Sequence, residues 1–270
     1  MIENEPIIRL AVLLAVIIIM ASWEIIAPRR VLSLGKAYRW VNNLGVVASG
    51  TLVLRFIAPA GAVGLGLLVE SRGWGLLQLV SAPFWLQVLL AVVILDLAIW
   101  AQHLLFHRVP LLWRLHRMHH ADLDIDLTTG LRFHPLELLL SLGIKAGVIV
   151  AIGAPALAVL LFEVILSSMA LFNHANIRLP LALDRFLRRF VVTPDFHRVH
   201  HSWHAYETHS NFGFNLSFWD YLFGTYRAQP VDGHENMTIG LHQFREPAWE
   251  RLDRMLIQPF VSDTNNKPQA

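Results

Sequence analysis

Residues 82–120 read APFWLQVLLAVVILDLAIWAQHLLFHRVPLLWRLHRMHH. The first half, Ala82 to about Ala101, is apolar over a length that crosses a bilayer as a helix at about 1.5 Å per residue. The second half carries His103, His107, His116, His119 and His120. An apolar span therefore runs directly into a crowd of imidazoles. One acid, Asp96, lies inside the span, where an ionisable side chain is a functional candidate by default. It precedes His103 by seven residues and shares its helix face, so it is a candidate to orient a metal-binding ring.

Working outward, three further apolar stretches flank this one. Ile7 to Ile26 has the length of one span, with Arg9 and Glu24 near its ends, placed to reach the interface. Met1 to Pro6 carries Glu3 and Glu5 rather than basic residues, which does not suit a cleavable signal peptide. Leu44 to Val69 reads as a second span interrupted by Arg55. Leu136 to Phe172 is too long for one crossing and breaks at Gly153, Ala154 and Pro155, so it reads as a helical hairpin, with Lys145 and Glu163 inside it as a candidate pair. Arg29, Arg30, Lys36 and Arg39 follow the first span, and Arg108, Arg114 and Arg117 follow the third. The bias toward basic loops places the histidine side in the cytoplasm.

Composition agrees. Of 270 residues, 55% are hydrophobic and 16% charged, and mean hydropathy is +0.48. That argues for an integral membrane protein and against disorder. The formal net charge of +2 gives no support to nucleic-acid binding. Cysteine is absent, which excludes disulfides, thiolate metal sites and cysteine nucleophiles. Histidine is abundant, with 14 copies, none before His103.

The histidines fall into patterns. His103 and His107 are four apart and share a helix face, so both can meet one metal. His116, His119 and His120 form a His-x-x-His-His motif, and His197, His200 and His201 repeat it. Within such a motif the last two rings point about 100° apart, so they can reach different metals. His174 stands alone in the segment 172–176. A metal ion rarely takes more than about six ligands, so nine histidines imply two ions if all bind. Imidazole suits iron, zinc, copper and nickel alike. Asp96, Glu137, Asn173, Asn176 and Asp195 are candidates to fix ring tautomers; a helix N-cap before His197 is an equal reading of Asp195.

These motifs resemble the fatty acid hydroxylase and sterol desaturase superfamily, membrane-bound oxygenases with a histidine-ligated di-iron centre. Leu112 to His116, Arg132 to Glu137, Thr193 to His197 and Trp219 to Thr225 match it as well, and the resemblance covers roughly residues 39–260. It implies an all-α, polytopic helical membrane protein with a cytosolic helical cap holding a dimetal histidine cluster. The spans are 7–26, 44–69, 82–101 and the hairpin 136–172; the cap is 103–134 and 174–227; all belong to one domain, 1–261, before a disordered tail, 262–270.

The implied ligands are His103, His107, His116, His119, His120, His174, His197, His200 and His201, holding two iron ions that use O2 as co-substrate. Two departures stand out. Arg178 occupies a position where some relatives carry a further histidine, so either the site has nine protein ligands or His134 or water completes it; His134 reads equally as ligand, ring partner or helix-entry residue. His209 sits where an acid is more usual, and with His204, His234 and His242 it is not expected to ligate.

The implied reaction is O2-dependent hydroxylation, or desaturation, of a lipid C–H bond. With no G-x-G-x-x-G motif and no room for a haem or flavin module, electrons must come from an external ferredoxin, cytochrome or reductase. Arg108, Arg114, Arg117, Arg185, Arg188 and Arg189 are its candidate docking surface, or they meet lipid headgroups. Leu181 to Phe190 reads as a basic amphipathic helix, either at a lipid interface or on a plain surface. Trp219 to Thr225 is expected to pack the cap. A membrane hydrolase and a metal transporter are the competing readings; the first lacks a His-Glu-x-x-His motif, and the second needs ligands along a pathway rather than at span ends. The absence of a targeting extension suggests a bacterial inner membrane.

Overall fold

The computed structural model describes residues 4–262, so the expected tail, apart from Ser262, lies outside the described residues. Their regular structure is helical. The main helices are α1 (Glu5–Ile26), α2 (Lys36–Ile57), α3 (Gly61–Arg72), α4 (Phe84–Arg108), α5 (Pro110–His120), α6 (Pro135–Ile152) and α7 (Ala156–His174). Short helices follow: α8 (Leu181–Leu187), α9 (Pro194–His200), α10 (Ala205–Thr208), α11 (Phe218–Leu222), α12 (Gly233–Asn236) and α13 (Leu252–Ile257). Among the described residues only isolated bridges, such as Pro28 to Ile177, represent β structure.

Proline punctuates the histidine-bearing part of the chain. Pro110, Pro135 and Pro194 occupy the first turns of α5, α6 and α9, where a missing N–H costs nothing and the fixed φ suits a helix. Pro83 and Pro155 cap α4 and α7. Proline also divides the run Leu44–Val69. α2 stops at Ile57, and Ala58 before Pro59 leaves the helical region at φ −134°, as a residue preceding proline tends to. The chain restarts as α3, so the second apolar run is two helices rather than one.

Among the described residues five stretches are long and apolar enough to cross a membrane: Glu5–Ile26, Lys36–Gln78 (which contains α2 and α3), Phe84–Arg108, Pro135–Ile152 and Ala156–His174. An apolar core joins α3, α4, α6 and α7 through Val63, Val69, Leu95, Ile99, Ile149, Val159 and Phe162. Gly153, at φ +71°, makes the turn between α6 and α7, and a Cβ there would lie 2.4 Å from the Trp74 carbonyl oxygen.

Several charged groups inside this bundle are paired. Lys145 donates to Glu163 at 2.7 Å, and Arg9 reaches the other oxygen of Glu163 at 3.0 Å. Arg9 thus binds α7 rather than turning to an interface. Glu24 is buried too: it accepts from the backbone N–H groups of Leu127 (2.8 Å) and Asn176 (2.9 Å) and pairs with Lys36. It joins the end of α1 to the segments on either side of the histidines.

The loop after α5 is held by a buried ionic frame. Arg39 from α2 grips Asp122 with two nitrogens, at 3.0 and 2.7 Å, and also pairs with Asp126. Arg132 donates to the Met118 carbonyl and pairs with Glu250. Burial alone would raise the Asp122 pKa, but Arg39 and Arg132 hold it at about 2. The 3₁₀ turn 127–131 then packs on α7 so closely that a Cβ on Gly130 would meet the Ala170 carbonyl oxygen at 2.1 Å. That close approach brings the loop beside His174.

Candidate metal centre

Nine histidines converge where α4, α5, α7 and α9 end. They divide into two groups, and within each the ligand atoms lie within 4.8 Å of one another. The larger contains His103, His107, His116, His120 and His200; the smaller contains His119, His174, His197 and His201. The most exposed of the nine is His103, at 6%, so bulk water does not reach the rings.

Helical spacing explains the partition. Each i, i+4 pair, His103 with His107, His116 with His120 and His197 with His201, stays together. The middle histidine of each His-x-x-His-His motif crosses to the other group: His119 joins the smaller and His200 the larger. The two motifs therefore interlock, each donating two rings to one group and one ring to the other.

The larger group is aimed from behind. The Nδ1 of His103 donates to the Phe212 carbonyl at 2.8 Å, and that of His200 to the Ser210 carbonyl at 2.7 Å. His116 Nδ1 meets Glu137 Oε1 at 2.6 Å. His107 Nδ1 lies 3.3 Å from His209 Nδ1. The Nε2 atoms of His103, His107, His116 and His200 are buried without a hydrogen-bond partner among the described residues. Four orphaned nitrogens whose ring partners fix the opposite tautomer suit a metal ion, because leaving them unpaired is otherwise costly.

In the smaller group the Nε2 atoms themselves approach. His174 is 3.1 Å from His119 and 3.1 Å from His197, and His201 is 3.3 Å from His197. Nitrogens bound at roughly 2.0–2.1 Å to one tetrahedral metal sit about 3.4 Å apart, so these spacings suit a shared ion. His174 Nδ1 donates to the Ala170 carbonyl at 2.8 Å, and Phe133 stacks on His119 with centroids 4.7 Å apart. Burial, reinforced by neighbouring rings, drives His119, His120, His197, His200 and His201 well below the ordinary imidazole pKa. They stay neutral at physiological pH and open to a metal.

Of the residues singled out as ring partners, Glu137 alone among the described residues meets an imidazole of the two groups; Asp195 lies 3.7 Å from His234, which belongs to neither. Asp96 accepts from Trp219 Nε1 at 2.8 Å and from the Leu216 N–H, tying α4 to α11. Asn173 donates to the Phe214 carbonyl. Asn176 brackets Arg30 through both of its side-chain atoms. Asp195 pairs with Arg29 and Arg198, and the N-cap before His197 is Thr193. His134 caps α6: its Nδ1 accepts from the Leu136 N–H and its Nε2 donates to the Leu256 carbonyl, so it enters a helix and faces neither group. His204, His234 and His242 lie outside both groups, on Asp232, Gln229 and Trp203.

The arginine surface is smaller than the sequence suggests. Arg114 and Arg117 donate to carbonyls of residues 258–261, and Arg188 turns inward to Asp184 and the Ala228 carbonyl. Arg108, Arg185 and Arg189 remain exposed. In α8 and its C-cap, Asp184 and Arg188 face inward while Leu181 and Phe186 are exposed.

Sequence reasoning gave no ring-supporting role to Asp220, His209 or the two carbonyls. Asp220 accepts from the N–H groups of Phe212 (2.8 Å) and Gly213 (2.6 Å) and from Trp100 Nε1. It shapes the loop that presents the Phe212 carbonyl to His103. The signal was present in the 219–225 motif, which packs the cap and in doing so aims a ring.

Comparison with known proteins agrees with this geometry. The fatty acid hydroxylase family matches residues 88–225. The ornithine lipid hydroxylase OlsE of Rhizobium tropici is 31% identical over 151 residues, 55% of this chain and 44% of that protein. Human (Homo sapiens) alkylglycerol monooxygenase is 30% identical over 140 residues, 52% of this chain and 29% of that protein. Cholesterol 25-hydroxylase of Rattus norvegicus is 28% identical over 171 residues, 58% of this chain and 56% of that protein. The chain thus spans between about a third and just over half of the length of these relatives. No solved structure matches it. All nine clustered histidines fall within the stretch that the family matches, and the chain belongs to the fatty acid hydroxylase family.

Proposed function

We propose that the chain is an integral membrane enzyme that hydroxylates a C–H bond of a lipid, with desaturation as the second possible outcome of the same chemistry. The observation that carries this reading is the sorting of nine buried histidines into two convergent groups at the ends of apolar helices. The ligand set is His103, His107, His116, His120 and His200 for one iron, and His119, His174, His197 and His201 for the other. Two irons held by these residues would supply the oxidising chemistry by which one atom of O2 enters the C–H bond and the other leaves as water, with two electrons from the external donor and two protons.

The protein's own contribution is positional. Glu137 and the Phe212 and Ser210 carbonyls hold His116, His103 and His200 with Nε2 inward. Phe106, Phe133 and Phe212 pack against the rings and keep the site dry. The substrate is a membrane lipid, since the relatives are named for lipids of different classes. Electrons come from a separate ferredoxin, cytochrome or reductase, for which Arg108, Arg185 and Arg189 are exposed. The histidine end faces the cytoplasm, following the basic residues that flank α1 and α4.

The test combines elemental analysis of the detergent-purified protein with turnover in isotopically labelled O2. A membrane lipid extract and a ferredoxin–reductase pair complete the assay, read by lipid mass spectrometry. About two irons per chain and one labelled oxygen in a lipid product support the reading. Zinc in the same amount after iron-replete expression, with no oxygen incorporation, overturns it in favour of a hydrolase.

A further inference from the structure

His209 follows α10 on the protein surface. Its ring leans on Trp113, with centroids 5.9 Å apart, and on His107, at 5.5 Å. The contact with His107 is between the two Nδ1 atoms, at 3.3 Å. Two ring nitrogens at that distance share one proton, and the chemistry of the site says which carries it. His107 Nε2 is buried, unpartnered and directed into the five-histidine group. Its proton therefore sits on Nδ1, which donates, and His209 Nδ1 accepts.

The other supports of this group are buried. His103 and His200 rest on backbone carbonyls, and His116 rests on Glu137, which is 3% exposed. His107 alone leans on an exposed side chain. We propose that His209 is a positioning residue of the metal centre: it accepts the Nδ1–H of His107, fixes that ring's tautomer and orientation, and makes the five-histidine site adjustable from the surface. The proposal rests on the metal-centre reading above and assigns a role to a histidine outside both groups.

Because His209 is exposed, replacing it tests the contact without opening the core. His209→Leu removes the acceptor; His209→Asn returns an oxygen near the Nδ1 position. The readouts are chelator-driven metal release from the intact protein in detergent and the visible ligand-field spectrum of the Co²⁺-loaded protein. His209→Leu should release one of two metals about 10–100-fold faster than wild type and shift the spectrum, while His209→Asn should stay close to wild type in both. A merely structural surface residue would not separate the two variants. Release from His209→Leu at the wild-type rate, or from His209→Asn as fast as from His209→Leu, overturns the proposal while leaving the metal centre intact. A wild-type protein that binds no metal overturns the centre itself, and this role with it.

Discussion

The two histidine groups are built differently. In the five-membered group, four rings are steered from behind by Phe212, His209, Glu137 and Ser210, which come from α6 and from the segment after α10. In the four-membered group only His174 has such a support, the Ala170 carbonyl of its own helix. The Nδ1 atoms of His119, His197 and His201 have no partner among the described residues. Those rings are placed by where α5, α7 and α9 run and by the stack on Phe133. One group is therefore set by hydrogen bonds across the chain, and the other by the packing of helices, so the two should respond to different substitutions.

The largest expected effect comes from the ligands themselves. His120→Ala should remove metal from the five-membered group and His201→Ala from the four-membered group, each leaving about one metal per chain and lowering lipid oxidation by at least ~10³-fold, because a two-metal site acts as a unit. Elemental analysis beside the turnover assay checks this. Loss of both metals from either variant would merge the two groups into one cooperative site.

Next is the ionic frame that serves both groups. Asp122→Asn leaves Arg39 and Arg132 short of a buried anion and should destabilise the fold by about 3–5 kcal/mol, seen as a lower thermal midpoint in detergent. The pH dependence has a definite sign. With its folded pKa held at about 2, below the ordinary 3.8, the Asp122 carboxylate contributes fully above about pH 4, and that contribution is lost as pH falls toward 2. The wild-type acid-unfolding curve should steepen in that window, and Asp122→Asn should flatten it.

Glu137→Ala separates the groups more finely. It removes the acceptor for His116 and should weaken one metal by about 10–100-fold, leaving the four-membered group near wild type. Equal weakening of both metals would show that the supports are shared after all. The smallest effect belongs to His134. Replaced by alanine, it should cost about 1 kcal/mol through loss of the α6 cap and leave two metals per chain, with His134→Ser recovering most of the stability. Loss of a metal would return His134 to the ligand set.

Much of this was legible along the chain because helical periodicity is local. Spacings of four residues brought His103 to His107, His116 to His120 and His197 to His201, and adjacency split His119 from His120 and His200 from His201. Proline marked the helix starts at Pro110, Pro135 and Pro194. The partners of the rings were far less legible. Asp96 has the right heptad-like offset from His103, yet Trp219 claims it. His209 attracted attention only as a departure from an expected acid, and its contact with His107 spans 102 positions. The two carbonyls have no side-chain signature at all.

Sequence alone determined most of the apolar stretches, the identity of the clustered histidines and the pairing of His103 with His107, since burial and a 3.6-residue repeat act on near neighbours. Tertiary structure alone decided which motif member crosses to which group, and which distant atom holds each Nδ1. A hydrogen bond needs two atoms within about 3 Å, and for segments separated by a hundred residues only the packing of α4, α5, α7 and α9 against one another brings them that close.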